Sequence, residues 1–346
     1  MSNDPHPDVT RVENMRTHLK FDPSVFDLEI ALQVLSSPSV DARVDILQLL
    51  ADVSSSNPWD VIEAVPTLEI LLEDEPVIVR TTVLKVLAEL ADSYPGAVAP
   101  ATQSIARHLD LHLGDDTNGV AVKCLARIAS ECPDQVAETV PKLAVLLDTA
   151  DSQVQRNIII ALVRVARTHP EEVKPLVPTF SDLINSDDDE LTIGATAALG
   201  AVAASYPNVG RDIIPNLTAL LDDENNRVRN NVAALLSEIS QNHHEEIVGE
   251  TPRFIQLLED DDPQVRYNAT SVLARLAKHH PEAVRPAVGP LISVLGEEFE
   301  YTRSNACWAL GYLKANAARS HLESVVEHDS SAEVRAGATW ALKQVE

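Results

Sequence analysis

Residues 222–240 read DDENNRVRNNVAALLSEIS, and two further stretches of the chain follow the same design. Residues 260–277 read DDDPQVRYNATSVLARLA, and residues 329–345 read DSSAEVRAGATWALKQV. In each stretch an acidic turn precedes an arginine, Arg229 in the first, and apolar residues stand three, seven and ten positions after it. This spacing places the apolar side chains on one face of an α-helix.

The arginine marks a series that runs along the chain at steps of 37 or 38 residues, with a last step of 32. The marker positions hold Arg43, Arg80, Asn118, Gln155, Thr192, Arg229, Arg266, Arg303 and Arg335. Seven residues after each marker stands a leucine: Leu50, Leu87, Leu125, Leu162, Leu199, Leu236, Leu273, Leu310 and Leu342. This regularity predicts a helix at every marker, and we call these the B helices.

A second helical pattern precedes each B helix, as in VIEAVPTLEILLED at residues 61–74. We call these predicted helices the A helices. One series of prolines falls one or two turns into them, where proline removes a backbone donor and bends a helix: Pro66, Pro141, Pro178, Pro215 and Pro252. Another series falls at the junction from B to A, where proline suits a first helical turn: Pro58, Pro95, Pro133, Pro170, Pro207 and Pro281.

The order of an interrupted A helix, a short acidic turn and a B helix that opens with Val-Arg resembles the HEAT repeat over roughly residues 24–346. The resemblance implies an all-α fold, a right-handed α-solenoid superhelix of about nine two-helix repeats with a period of 37 residues. It also implies that the B helices line the concave groove. The last repeat, about residues 317–346, is short and fits a closing cap, while residues 1–23 are expected to form a tail or a capping helix.

The composition indicates an acidic but folded protein. The 346 residues carry 53 Asp and Glu against 27 Lys and Arg, a formal charge of −26, while 45% are hydrophobic and support a packed core. The excess acid resembles that of cytosolic proteins from salt-accumulating halophilic archaea, in which carboxylates keep the surface hydrated. The alternative is a mesophilic protein whose acidic surface repels nucleic acid or recruits a basic partner.

The sequence also bounds the location of the protein. It has no apolar run long enough to span a membrane, and the first residues, MSNDPHPDVT, lack an apolar signal core, so we expect a cytoplasmic protein without membrane insertion. Its three cysteines, Cys124, Cys132 and Cys307, form no CxxC pair, which argues against a disulfide framework or a zinc ribbon.

No motif typical of catalysis is visible, neither a glycine-rich phosphate loop, nor a nucleophile elbow, nor HExxH. We therefore expect no catalytic residue, no cofactor and no metal site. Histidines do recur fourteen residues after three markers, at His169, His243 and His280. Equivalent positions of stacked repeats should lie about 10 Å apart, which is too far to share one ion.

Two polar series could be either structural or functional. Acidic residues stand six positions before five markers, as Asp74, Asp223, Asp260, Glu297 and Asp329. We expect them to pair with arginines of neighbouring repeats and to cap helices; a binding ladder is the alternative. Asparagines stand two positions after four markers, as Asn157, Asn231, Asn268 and Asn305. They are expected to bond backbone between repeats rather than to clamp a peptide.

The charge divides unevenly between the helix types. The B-helix stretches, fourteen residues from each marker and twelve in the last, hold 16 Lys and Arg against 7 Asp and Glu, whereas the rest holds 11 against 46. Basic and aromatic residues on the B helices that lie off the leucine face are therefore predicted to line the groove. They are Lys85, Lys123, Arg127, Arg156, Arg164, Arg167, Tyr267, Arg275, Lys278, Trp308, Tyr312 and Trp340.

These observations favour a non-catalytic scaffold or adaptor that binds a protein partner, an acidic or amphipathic segment, in the groove. One alternative is a nucleic-acid-associated or chromosome-associated HEAT protein, since the basic residues could neutralise several phosphates. Another is an enzyme-accessory role like that of bilin-lyase HEAT proteins.

Overall fold

The computed structural model describes residues 6–22, 25–109 and 115–345, and for Asp115, Asp116 and Pro207 the backbone alone. The chain divides into two compact units, Met1–Pro175 and Leu176–Glu346. The described residues are helices and turns, without a β-strand.

The described residues of the first unit form twelve α-helices. They are α1 (Pro7–Phe21), α2 (Leu28–Leu35), α3 (Val40–Ser56), α4 (Val65–Leu71), α5 (Val77–Ser93), α6 (Pro95–Val98), α7 (Thr102–Ala106), α8 (Asp115–Glu131), α9 (Pro133–Ala137), α10 (Val140–Leu147), α11 (Ser152–Thr168) and α12 (Pro170–Val173). Short 3-10 helices stand between them at Pro58–Asp60, Ile62–Ala64, Ala99–Ala101 and, at the boundary of the units, Lys174–Leu176.

The second unit, as far as residue 345, also forms twelve α-helices. They are α13 (Val177–Leu183), α14 (Asp189–Ser205), α15 (Pro207–Ala219), α16 (Asn226–Ile239), α17 (His244–Ile247), α18 (Thr251–Gln256), α19 (Pro263–His279), α20 (Pro281–Val284), α21 (Val288–Ser293), α22 (Glu300–Tyr312), α23 (Arg319–His328) and α24 (Ala332–Gln344). Its 3-10 helices are Leu220–Asp222, Val248–Glu250, Leu257–Glu259, Arg285–Ala287, Val294–Gly296 and Asn316–Ala318.

The B helices form the continuous element of each unit. In the first unit α3, α5, α8 and α11 pack side by side in that order, and in the second α14, α16, α19, α22 and α24 do the same. The leucine seven residues after each marker is fully buried in the first eight of these helices, as the pattern predicted. Leu342 in α24 is half-buried.

The prolines explain why the A helices are short. Pro66, Pro141, Pro178 and Pro252 each occupy the first turn of a new helical segment, so the chain restarts there instead of bending through an unbroken helix. Pro215 differs, since it lies inside the continuous helix α15. The junction prolines begin α6, α9, α12 and α20 directly after a B helix.

The two ends of the chain depart from the repeat. At the start, α1 packs on α3, and Ser37 Oγ donates to Asp8 Oδ2 at 2.6 Å. The predicted segment 1–23 includes residues outside those described, and its boundary stays a prediction. Near the end, Lys314 takes a left-handed conformation with φ of 50°, and its neighbour Ala315 donates to Leu310 O at 3.1 Å. This turn closes α22, whereas the preceding B helix, α19, is followed by the proline junction at Pro281.

Candidate interaction surface

An ion-pair ladder joins the repeats of the second unit. Three marker arginines, Arg229, Arg266 and Arg303, each bind the acidic residue 26 or 31 positions later, in the turn before the next B helix. Arg229 Nε lies 2.7 Å from Asp260 Oδ2, Arg266 Nη2 2.7 Å from Glu297 Oε2, and Arg303 Nε 2.7 Å from Asp329 Oδ2. This confirms the structural interpretation of the series for these pairs.

The arginines of the ladder also hold their own turns. Arg229 Nη1 donates to Asp223 O at 2.8 Å, and Arg303 Nη1 donates to Glu297 O and Glu298 O, both at 2.8 Å. Asp329 Oδ1 in turn accepts from Ser331 N at 2.8 Å. One guanidinium therefore satisfies the turn before its own helix and the turn before the next.

Among the described residues of the first unit, one such pair is seen. Arg43 Nε lies 3.0 Å from Asp74 Oδ2. At two positions where the marker is not arginine, a neutral side chain bonds its own turn: Gln155 Nε2 donates to Leu147 O at 2.9 Å. Thr192 Oγ1 in the second unit donates likewise to Ser186 O at 3.2 Å. These two turns are thus held without an ionised marker side chain.

Two of the predicted groove cations, Arg127 and Arg275, form contacts between neighbouring B helices. Arg127 Nη1 on α8 donates to Ala88 O of α5 at 2.7 Å, and its Nε lies 2.9 Å from Asp92 Oδ1. Arg275 Nη1 on α19 donates to Ser237 O of α16 at 2.8 Å. Both arginines stand nine residues after their marker, and each donates to a carbonyl of the preceding B helix. Their head groups are already engaged within the fold.

The remaining cations are less constrained. Lys123 lies 3.8 Å from Glu89, a loose pair, and Arg156 is half-buried and has a partner within the structure. Lys85, Arg164, Arg167 and Lys278 are exposed, and no ion pair or hydrogen bond engages their side chains within the part of the chain that the structure describes. These four cations are therefore available on the B helices.

The predicted aromatic residues separate into two groups. Trp340 on α24 lies against Trp308 and Tyr312 of α22, with ring centroids 4.7 and 4.9 Å apart. Gly311 makes this packing possible, because a Cβ at that position would collide with the Trp340 ring. All three aromatic rings remain half-buried, so each keeps part of its surface open to solvent.

Tyr267 belongs to the second group, with Phe299 and Tyr301. The ring centroids lie 6.1 Å apart for Tyr267 and Phe299, 6.3 Å for Tyr267 and Tyr301, and 6.0 Å for Phe299 and Tyr301. Sequence reasoning missed Phe299 and Tyr301, because both precede their marker and lie outside the B-helix face used for the prediction. The two aromatic residues stand two positions apart in EEFEY, residues 297–301, and this pair is the sequence signal that could have indicated the cluster.

Histidines of two neighbouring repeats lie closer together than the distance expected between equivalent positions. His244 Nδ1 and His280 Nε2 are 2.9 Å apart, and the His244 ring stacks on that of His279 at 4.2 Å. The expected separation of about 10 Å applies to equivalent positions, such as His243 and His280. His280 instead contacts His244, the residue that follows its equivalent. Desolvation first, and then the neighbouring His244, lower the pKa of His279.

The described residues show no group of three or more His, Cys, Asp or Glu side chains placed to hold a metal ion. The cysteines do not resemble activated nucleophiles: burial raises the pKa of Cys124 and of Cys307 to about 12 in each case.

The asparagine series differs from the expectation at one position. Asn268 Nδ2 donates to the side chain Oδ1 of Asn230, at 2.9 Å, and not to a backbone carbonyl.

Comparisons with known proteins agree with this architecture. The family model described as HEAT repeats matches residues 251–343, and the model described as HEAT-like repeat matches residues 193–239. An engineered protein solved by the Northeast Structural Genomics Consortium superposes with a TM-score of 0.85 over 100% of this chain and 96% of its own, at 22% identity. The chain folds as a HEAT/armadillo-like α-solenoid.

Two further solved structures resemble part of the solenoid. A second engineered protein from the same consortium has a TM-score of 0.56 at 24% identity, covering 63% of this chain and 98% of its own. A computationally designed armadillo repeat protein for modular peptide recognition has a TM-score of 0.53 at 23% identity, covering 59% and 99%. A search of curated proteins finds no match.

The solenoid fits a general role in protein interaction, and repeat folds of this kind are typically non-catalytic scaffolds. None of the described helices is both long and apolar enough to cross a membrane.

Proposed function

We propose that this solenoid is a non-catalytic scaffold that binds an acidic, amphipathic segment of a protein partner on the B helices of its first unit. The observation that carries the proposal is the composition of α11. This helix contains Arg156, Arg164 and Arg167 and no Asp or Glu, in a chain whose net charge is −26.

The exposed side chains of α11 form one stripe. Ile160, Arg164 and Arg167 follow one another at four and three residues, which places them on the same face of the helix. Ile160 is 49% exposed, a large apolar side chain that the fold does not cover. The stripe therefore combines an apolar contact with two available cations.

Neighbouring helices extend this surface. Lys85 on α5 and Lys123 on α8 occupy the position that Ile160 occupies on α11, five residues after the marker. Because α8 packs between α5 and α11, the three positions form a row about 20 Å long at the usual helix spacing of 8–10 Å. An α-helix of about 13 residues has the same length.

The chemistry of the row favours one kind of partner. Carboxylates along one side of an amphipathic helix would meet Lys85, Lys123, Arg164 and Arg167, while its apolar side would cover Ile160. Charge complementarity of this kind steers association and fixes register. The similarity to an armadillo repeat protein that was designed for modular peptide recognition supports a peptide segment as the partner. The free cysteines Cys124, Cys132 and Cys307 suit the cytoplasmic location we propose for the complex.

The test uses a charge reversal that spares the fold. Arg164→Glu with Arg167→Glu removes the stripe, whereas Arg127 is left intact because it holds α5 to α8. The matched control is Arg107→Glu with Arg211→Glu, which changes the net charge equally at two exposed arginines on other surfaces. Each protein is titrated by fluorescence anisotropy with a labelled acidic amphipathic helical peptide, a scrambled peptide of the same composition and a labelled single-stranded oligonucleotide.

We expect the wild type and the control pair to bind the amphipathic peptide at least tenfold more tightly than the scrambled one, and the stripe variant to lose this preference. Tighter binding of the oligonucleotide, abolished by the same variant, would assign the surface to nucleic acid and overturn the proposal. If the stripe variant binds the amphipathic peptide as tightly as the wild type does, α11 is not part of the interface.

A further inference from the structure

Three aromatic rings of the second unit form a closed cluster at the surface. Tyr267 comes from the first turns of α19, Phe299 from the residue that caps α22, and Tyr301 from the first turn of α22. Tyr301 is 51% exposed, Phe299 is 37% exposed and Tyr267 is half-buried. The cluster is therefore accessible, and the fold leaves its outer side uncovered.

The geometry of the rings suits a cation. All three pairs of centroids are 6.0–6.3 Å apart, and all three pairs of planes are inclined by 62–67°. A cation above the middle of this triangle lies within about 5 Å of every centroid, inside the roughly 6 Å range over which an aromatic quadrupole attracts positive charge. The negative charge of each ring's quadrupole lies on its face and not on its edge, so the attraction requires that ring faces line this space.

The charge around the cluster has the complementary sign. Glu298 and Glu300 flank Phe299 in the chain, both are exposed, and neither carboxylate has an ion-pair partner among the residues described. The neighbouring Arg266 does not supply a competing cation, because its guanidinium is bound to Glu297 at 2.7 Å. A ligand that approaches the rings therefore meets unneutralised negative charge.

We propose that Tyr267, Phe299 and Tyr301 form a binding site for a quaternary ammonium group. A methylated ammonium suits the site better than a lysine ammonium because its charge is spread over methyl groups. It therefore loses less hydration when it enters an aromatic surface. The site is separate from the basic row of the first unit and selects ligands of the opposite charge.

The probe is choline, and the matched ligand is 3,3-dimethylbutan-1-ol, which has the same shape but a carbon in place of the charged nitrogen. Binding of each to the full chain is followed by saturation-transfer NMR and by chemical shifts of the aromatic protons. We expect choline to bind at least tenfold more tightly than the neutral alcohol. A trimethyllysine peptide that binds more tightly than choline would identify a modified protein as the source, and equal affinities would identify a small molecule.

Variants assign the binding to the cluster. Tyr301→Phe keeps an aromatic face and should bind choline within about twofold of the wild type, whereas Tyr301→Leu and Phe299→Leu should each lose at least tenfold. Trp59→Leu removes another exposed aromatic, in the first unit, and should have no effect. Because the changed side chains are exposed, each variant can be checked for an unchanged melting temperature. Equal binding of choline and its neutral isostere, or full binding by Phe299→Leu, overturns the proposal.

Discussion

Arg303 and Asp329 join the last two B helices through two parallel hydrogen bonds, from Nε to Oδ2 at 2.7 Å and from Nη2 to Oδ1 at 2.9 Å. The two side chains are only 10% and 6% exposed. A bidentate arginine–carboxylate pair shielded in this way fixes direction as well as distance, and removal of either partner leaves the other buried without compensation.

Arg303→Met should therefore destabilise the end of the solenoid by about 3 kcal/mol or more, because Asp329 then stays buried without its partner. Arg107→Met is the comparison, since Arg107 and Glu73 are 63% and 62% exposed and such pairs contribute less than about 1 kcal/mol. Urea unfolding measures the totals, and amide hydrogen exchange shows whether the loss lies in α22 to α24. Equal effects of the two substitutions would contradict the difference in burial.

The same pair predicts a response to acid. The hydrogen bonds from Arg303 hold the pKa of Asp329 below its ordinary value, although burial acts in the opposite direction. The folded pKa is lower than the unfolded value of about 3.9, so the stabilisation is complete above this pH and is lost as the pH falls towards the folded pKa. The difference in unfolding free energy between wild type and Asp329→Asn should shrink below about pH 4. Urea unfolding from pH 7 to pH 3 checks this. If the difference in unfolding free energy stays constant with pH, the ion pair is not the source of that difference.

Gly311→Ala should destabilise the protein by about 1–3 kcal/mol, the usual range for an overpacked contact. The added Cβ collides with the Trp340 ring and comes within 3.0 Å of the Ala341 backbone, which cannot move away as a flexible side-chain end can. Gly289→Ala in α21 is the matched control, because nothing lies within 4 Å of its Cβ position. Thermal unfolding should show a lower melting temperature for the first variant and an equal or higher one for the second. Trp340 fluorescence should change only in the first.

Salt should stabilise this protein. With a formal charge of −26, the folded chain repels itself, and the range of that repulsion falls from about 10 Å at 0.1 M salt to about 3 Å at 1 M. The melting temperature should therefore rise when KCl is increased from 0.1 M to 1 M. A variant with four exposed glutamates changed to glutamine, at Glu63, Glu171, Glu172 and Glu245, should respond less. A wild type that melts at the same temperature in both salts would remove the halophile-like interpretation of its composition.

The helical fold was predictable because its signals are local and repeated. The leucine seven residues after each marker is a core residue in every complete repeat, and the marker arginines with their acidic partners form the ladder in the second unit. Pro66 and three of its equivalents interrupt the A helices as predicted, although they do so by starting new segments, whereas Pro215 lies inside the continuous helix α15.

The surface was less predictable, because it depends on contacts between helices. A charged residue on an exposed helical position looks the same in sequence whether its head group is available, as in Arg164, or bound to a neighbouring carbonyl, as in Arg127 and Arg275. The meeting of His244 with His280 depends on an offset of one residue between repeats. A periodic pattern of residue types shows neither this one-residue offset nor the group to which an arginine side chain bonds.

The ladder has one more consequence, for how such a chain is assembled and how it evolves. Its pairs connect residues 31, 31 and 26 positions apart, so each closes a loop of nearly the same modest size. Contacts between distant parts of a sequence slow folding, whereas here the time to form each contact does not depend on the total length. Duplication or deletion of a 37-residue segment therefore leaves every other pair with its partner at the original distance.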